Sequence, residues 1–245
     1  MLLLAAAARL AAGSTDDPVE PSVAGRGLAR QLCELRPAED FTNACTLIVQ
    51  PPRGKGRKRE FPLLTVTTLT ETNWVAVYET LPNTNAPVRQ RLSVTHQGLA
   101  PNRYSLCAVP ADGAADPSEV PECALGKVLF ADSDFRVGDL GLEFLHWPAQ
   151  KLLKKELKKG QSCAVLESRN PEPATNSYSR VVSWIDIDTD GIVLAEAYDE
   201  RGKLWKEFEL KEAEKVNGKW TVSELQMRNL QSGSRTILKF NFGKP

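Results

Sequence analysis

From Ser177 to Phe242 apolar and polar residues alternate with a period of two. The segments are SYSRVVSWIDID, IVLAEAYD, LWKEFELKEAEK, WTVSELQM and RTILKFNF. Such alternation suits strands with one face buried and one wet. Asp190-Gly191, Arg201-Gly202 and Asn217-Gly218 separate the segments and supply the positive φ that tight hairpins need. The same rhythm begins earlier, at Phe41, in FTNACTLIVQ, FPLLTVTTL, NWVAVYETL, VRQRLSVTHQ and RYSLCAVP. Val, Thr, Tyr and Trp are frequent there, and Pro, Gly and Asn lie between the runs.

Three stretches break the rhythm. Residues 18–36 place Val23, Leu28, Leu32 and Leu35 near helical spacing and stop before Pro37, which predicts an amphipathic helix. Residues 131–148, ADSDFRVGDLGLEFLHWP, predict a second helix, capped by Ser133 or Asp134, with Val137, Leu140, Phe144 and Leu145 apolar and Pro148 ending it. Gly138 and Gly141 weaken that helix by about 1 kcal/mol each relative to Ala. Residues 110–124, rich in Pro and Ala, read as a long surface loop. The segment QKLLKKELKKGQSCAVLES reads as two strands turning at Lys159-Gly160, with a helix over KLLKKELKK as the alternative. About eleven strands and two helices result, in a single domain over residues 18–245.

A sheet of that length must bury one face against something. The two helices are the apolar faces available, and Trp74, Tyr78, Leu140, Phe144, Trp147 and Trp184 are the large apolar side chains that either fill the space between or line a cavity there. Trp74 and Tyr78 lie four apart on one face of a strand, and Trp184 is read as sharing its face with Val182 and Tyr178. An empty apolar space of several hundred cubic ångströms, on the order of a ligand pocket, would mark a carrier.

Composition narrows the function classes. With 31 basic and 31 acidic residues in 245 the formal net charge is zero, so no general attraction to nucleic acid or anionic membrane follows from the total. Two basic runs stand out locally: Arg53, Lys55, Arg57, Lys58 and Arg59 in one loop, and Lys151, Lys154, Lys155, Lys158 and Lys159 further on. Either could touch anionic headgroups, but solvated faces are the reading adopted for both.

Only His96 and His146 are present, and no nucleophile elbow, zinc-binding helix motif, phosphate loop or dinucleotide fingerprint occurs. The chain is therefore read as no enzyme and as needing no cofactor. Asp186 to Gly191 imitates the first half of a calcium loop, but the twelfth position is Ala197 and strands flank it, so it is read as an acidic turn without a metal.

Residues 1–17 carry a short apolar run, interrupted by Arg9 and followed by small and polar residues. They read as an export signal or disordered N-terminus. For an exported chain the short-loop disulfides would be Cys33 with Cys45 and Cys107 with Cys123, leaving Cys163 odd; otherwise all five are buried thiols.

The stretch SDFRVGDLGLEFLHWP, then GQSCAVLES and the strand series beginning YSRVVSWIDID, resembles the LolA-like outer-membrane lipoprotein-sorting family. The matching positions are Tyr178, Arg180, Val181, Trp184, Ile185, Asp186, Tyr198, Asp199, Gly202 and Lys203. That resemblance implies an unclosed antiparallel β-barrel, mainly β, wrapped over helices around a hydrophobic cavity. It also implies a periplasmic, monomeric carrier that holds a lipid or lipoprotein acyl chain without covalent chemistry and meets envelope membrane proteins. The alternative is an envelope interaction protein with the same sheet and a filled core.

Overall fold

The computed structural model describes residues 20–82, 89–109, 118–216 and 219–242. The candidate export signal, residues 110–117 of the long loop and the Asn217-Gly218 turn lie outside these residues.

One helix, α1 (Pro21–Cys33), precedes five strands: β1 (Phe41–Gln50), β2 (Arg59–Leu69), β3 (Trp74–Thr80), β4 (Arg89–Gln97) and β5 (Ala100–Val109). A two-residue strand, β6 (Ser118–Glu119), leads into an irregular stretch containing α2 (Glu122–Leu125), α3 (Val137–Leu140) and a 3-10 turn (Glu143–His146). Seven strands follow: β7 (Ala149–Lys158), β8 (Gln161–Arg169), β9 (Arg180–Asp186), β10 (Ile192–Tyr198), β11 (Leu204–Val216), β12 (Lys219–Asn229) and β13 (Arg235–Phe240). All thirteen form one antiparallel sheet in the order β6-β5-β4-β3-β2-β1-β13-β12-β11-β10-β9-β8-β7. The sheet does not close, so the expected unclosed barrel is present, with two strands more than anticipated.

Neighbours in sequence are neighbours in the sheet at every step but one. β1 pairs with β13, from Cys45 opposite Phe240 to Gln50 opposite Arg235. That pairing joins an N-terminal meander to a C-terminal one. The hairpins follow the turn chemistry of the sequence: Lys159 and Gly160 take φ of 52° and 80°, and Gly202 takes 76°. At the β9–β10 turn Asp190, not Gly191, adopts the left-handed conformation, with φ 57°. The KLLKKELKK segment is strand β7, not helix.

The joining of the two meanders sets a requirement. β6 and β7 are the opposite outer edges of the sheet, so residues 120–148 must travel from one edge to the other. They do so across one face, which we call inner. There they pack with α1 over the main core, which contains Leu32, Leu47, Leu63, Leu92, Val137 and Leu238. Helix α1 starts at the Glu20 side chain, which accepts from the Ser22 and Val23 amides. It buries Gly25, Ala29 and Leu32 and lies along β7 so tightly that a Cβ at Gly25 would stand 2.6 Å from the Lys151 and Leu152 backbone.

The second helix expected from the sequence is broken. Between α3 and the 3-10 turn, Gly141 presses on the Tyr104 ring, where a Cβ would lie 2.2 Å from the phenolic oxygen, and Leu142 takes φ 53°. The apolar spacing of 137–145 suits one helix, but this close approach to β5 forces two short pieces.

The expected disulfides are not formed. Cys33, on α1, lies 3.8 Å from His146 Nε2, whereas Cys45, in β1, faces Thr65 Oγ1 at 3.6 Å; both are free thiols. Cys107 is also free and points its sulfur at the Arg91 carbonyl, 3.7 Å away. The side chain of Cys123 lies outside the described ones. Burial pushes the Cys33 thiol up to about 12 and Cys45 up to about 11, which leaves both unreactive near neutrality.

Two glycines of α1 should respond oppositely to the same change. Gly25→Ala places a methyl against β7 backbone that cannot swing aside, and should cost about 1 to 3 kcal/mol. Gly27 has nothing within 4 Å of an added Cβ, so Gly27→Ala should gain up to about 1 kcal/mol from helix propensity. Urea denaturation of the two variants checks the pair of signs.

Candidate ligand-binding site

An irregular segment crossing an apolar interior carries backbone groups that no strand partners, and leaving them bare costs several kcal/mol in total. Buried side chains meet that need here. Arg136 Nη1 donates to the Gly126 carbonyl and, at 3.0 Å, to that of Asn176. Lys206 Nζ donates to the Asp134 carbonyl. Asn102 Nδ2 reaches the Gly141 carbonyl at 2.9 Å, and Gln150 Nε2 reaches those of Phe144 at 2.9 Å and Trp147 at 2.8 Å. In the other direction, Thr236 Oγ1 accepts the Asp134 amide at 2.8 Å, and Gln90 Oε1 accepts that of Ala131 at 2.8 Å.

The two buried cations share one aromatic nest. The Arg136 guanidinium lies over Tyr178 at 4.6 Å and Trp205 at 4.2 Å, and the Lys206 ammonium sits 5.8 Å from the Tyr178 ring. Tyr178 in turn donates to Asp139 Oδ2 at 3.2 Å, and the same oxygen accepts the Arg136 amide at 2.8 Å. The Asp134 carboxylate accepts the Ser234 hydroxyl at 2.6 Å and that of Thr236 at 2.9 Å. Two cations and two carboxylates thus lock the crossing onto β11 and β13. Ring faces and counter-charges offset part of the burial cost.

Around this crossing the surface is hollow. One cavity, about 770 Å³, has Phe144, Trp147, Tyr178 and Leu125 as apolar walls and Asp139, Glu143 and Lys127 among its polar ones. Glu143 accepts the Tyr104 hydroxyl at 2.7 Å and also borders a neighbouring hollow of about 400 Å³. Trp147 and His146 border a further one of about 310 Å³ beside Arg26 and Arg30 of α1. Behind Phe144 and Tyr178, against the inner face of the sheet, is a small pocket of about 30 Å³ lined mostly by Leu142, Val181, Ile192, Ala195, Phe208 and Met227. That volume admits a water or a methyl group, not a chain. Phe144, Tyr178 and Asp139 line both the large cavity and this pocket and form the wall between them.

The six side chains singled out from the sequence divide accordingly. Phe144 and Trp147 line the large cavity. Tyr78 donates weakly to the Leu140 carbonyl at 3.4 Å and meets the edge of Phe130 at 6.4 Å, and Trp74 stacks on His96 at 3.7 Å. Leu140 packs half-buried against the same core, so these three residues belong to the packed interior. Burial drives the His96 imidazole down to about 3, so it stays neutral against the Trp74 ring. Trp184 does not face this interior at all. It belongs with Val165, Val182 and Val193 to a separate cluster on the outer face, and it donates to Glu156 at 2.6 Å. Tyr178, expected beside it, faces inward, because it precedes β9 and escapes the strand's alternation. The acidic turn at Asp186 closes on itself: its carboxylate accepts the Thr189 hydroxyl at 2.6 Å and the Asp188 amide at 3.3 Å.

A family model described only as an uncharacterized protein matches residues 126–242. No curated protein matches the sequence. Solved structures do. A DUF1329 family protein from Desulfovibrio piger ATCC 29098 superposes with a TM-score of 0.72 at 19% identity, over 91% of this chain and 92% of that one. A domain assigned as an outer membrane lipoprotein-sorting protein from Vibrio parahaemolyticus gives 0.69 at 20%, over 91% and 95%. A LolA superfamily protein from Nitrosomonas europaea gives 0.58 at 16%, over 90% and 91%. The chain therefore has the fold of LolA-like proteins, as the resemblance of its sequence to that family implied.

Lys206 makes the buried nest measurable. Burial holds its ammonium at about 8, against 10.5 in the open chain, so from pH 8 to 10.5 the unfolded chain binds more protons than the folded one. The stability this group contributes rises through that window. Comparing urea denaturation of the wild type with Lys206→Met, the difference should move in favour of the wild type by about 3 kcal/mol between pH 7 and 10.5.

Proposed function

We propose that this chain is a non-enzymatic binding protein that takes an acyl chain of a lipid or lipoprotein without covalent chemistry. The observation that carries the reading is the shared wall: a cavity of about 770 Å³ adjoins an apolar pocket across Phe144 and Tyr178. A rotation of Phe144 would join the two. The acyl chain would then run from the outer cavity towards Val181, Ile192 and Ala195, each buried methylene contributing about 0.8 kcal/mol. The polar rim, with Asp139, Glu143 and Lys127, would hold the headgroup in water. The structural likeness to a lipoprotein-sorting domain and a LolA superfamily protein supports a carrier role of this kind. In that role the chain acts as an exported, periplasmic monomer that receives from or delivers to an envelope membrane protein.

A second reading is favoured by one specific observation. The apolar pocket under the sheet holds only about 30 Å³, and Trp74, Tyr78 and Tyr104 are buried in the main core. On that reading the chain is an envelope interaction protein with a packed core and no ligand.

Titration with an environment-sensitive fluorescent fatty acid, with native mass spectrometry of protein purified from its own envelope, separates the two. The carrier reading expects saturable binding that Trp147→Ala weakens about tenfold with little loss of stability. Absence of any lipid, together with a Trp147→Ala penalty of about 3 to 5 kcal/mol, the cost of emptying a packed core site, would establish the second reading.

A further inference from the structure

We infer that the outer edge of the sheet at β7, together with the exposed face of α1, is a docking surface for an anionic lipid bilayer. β7 is an edge strand, and it carries Leu157 at 76% exposure and Leu153 at 43%. Lys151, before the bulge, and Lys155, after it, are both exposed and leave the edge on opposite faces of the sheet, so cations flank the leucines on either side. Leu153 is the extra residue of a β-bulge between Leu152 and Lys154, so an apolar side chain left without a cross-strand partner faces solvent.

Helix α1 extends the same surface. Gly25 rests on the backbone of Lys151 and Leu152, which brings the exposed Arg26 to the margin of β7, with Arg30 one turn on. Val23, 51% exposed, lies at the helix's N-terminal end. The carboxylate of β7 that would oppose these charges, Glu156, is turned away, held by Lys154 at 2.7 Å and Trp184 at 2.6 Å.

The chain as a whole is neutral, so a surface that combines four exposed cations with three exposed aliphatic side chains is a local concentration, not a reflection of composition. Lysines on an edge strand also discourage pairing with another strand, which weighs against a protein partner there. Cations near an anionic leaflet gain about 1 kcal/mol each, and the leucines enter the headgroup boundary. The surface adjoins the hollow of about 310 Å³ bordered by Arg26, Arg30 and Trp147, so a chain docked this way would present its cavity side to the bilayer.

Co-sedimentation of the full chain with phosphatidylcholine vesicles, with and without phosphatidylglycerol, tests the inference. Binding is expected to the anionic vesicles alone and should fall as salt is raised. Lys151→Gln and Lys155→Gln should each weaken partitioning about fivefold, and Leu157→Ser should weaken it further. All three sites are exposed, so thermal denaturation should show the variants folded as the wild type. The double lysine variant should still bind fluorescent fatty acid like the wild type, so loss of the docking surface and loss of the acyl-chain site are read separately. Equal binding to both vesicle types, no binding to either, or variants that partition like the wild type would each overturn the inference.

Discussion

The structure depends on one topological constraint. A single thirteen-stranded sheet has its two halves joined at the centre by β1 and β13 and its two free edges at β6 and β7, and the chain must connect those edges. The connection cannot be another strand, so it is irregular backbone laid across an apolar face. Irregular backbone in such a place needs partners for its amides and carbonyls. Polar side chains answer that need: Asn102, Gln150, Arg136, Lys206, Thr236 and Gln90 each bond the crossing backbone. The buried charges are thus part of the scaffold, and the main hollow is walled largely by the crossing itself.

The two faces of the sheet solve different problems. Inside, helix α1 and the crossing supply apolar cover. Outside, over β8 to β10, the cover is a layer of long charged side chains lying on apolar ones. Lys158 sits over the Trp184 ring at 4.5 Å, Arg180 over Tyr198 at 3.8 Å, and Glu167 is held by Arg169 and Arg180. This explains how Trp184 is buried without lining the interior.

The strands were legible in the sequence because each is half-buried and bounded by residues that tolerate a left-handed conformation, as at Lys159-Gly160 and Gly202. Helix α1 was legible for the same kind of reason, since its apolar stripe and its stop are local. The crossing was not. Its apolar spacing suits a helix, and what breaks it is the Tyr104 ring, distant in sequence and met only in the fold. The buried cations were missed as well, though Lys206 carried a signal: it has the parity of Phe208 and Leu210 in β11, a cation on what is otherwise an apolar face. The disulfide pairings failed because short loops say nothing of which side of a strand or helix a thiol faces.

The pairing of β1 with β13 bears on how the molecule comes to be folded. The first strand finds its central partner only when the last has arrived, so the contacts that unite the two meanders are among the longest in sequence that the chain makes. Such pairings delay folding, because the entropy of closing the intervening loop is spent before the contacts repay it. Each meander can form from local hairpins, but an incomplete chain would expose two open central edges as well as an uncovered apolar face. A protein built this way gains from being kept from premature collapse until the whole chain is available.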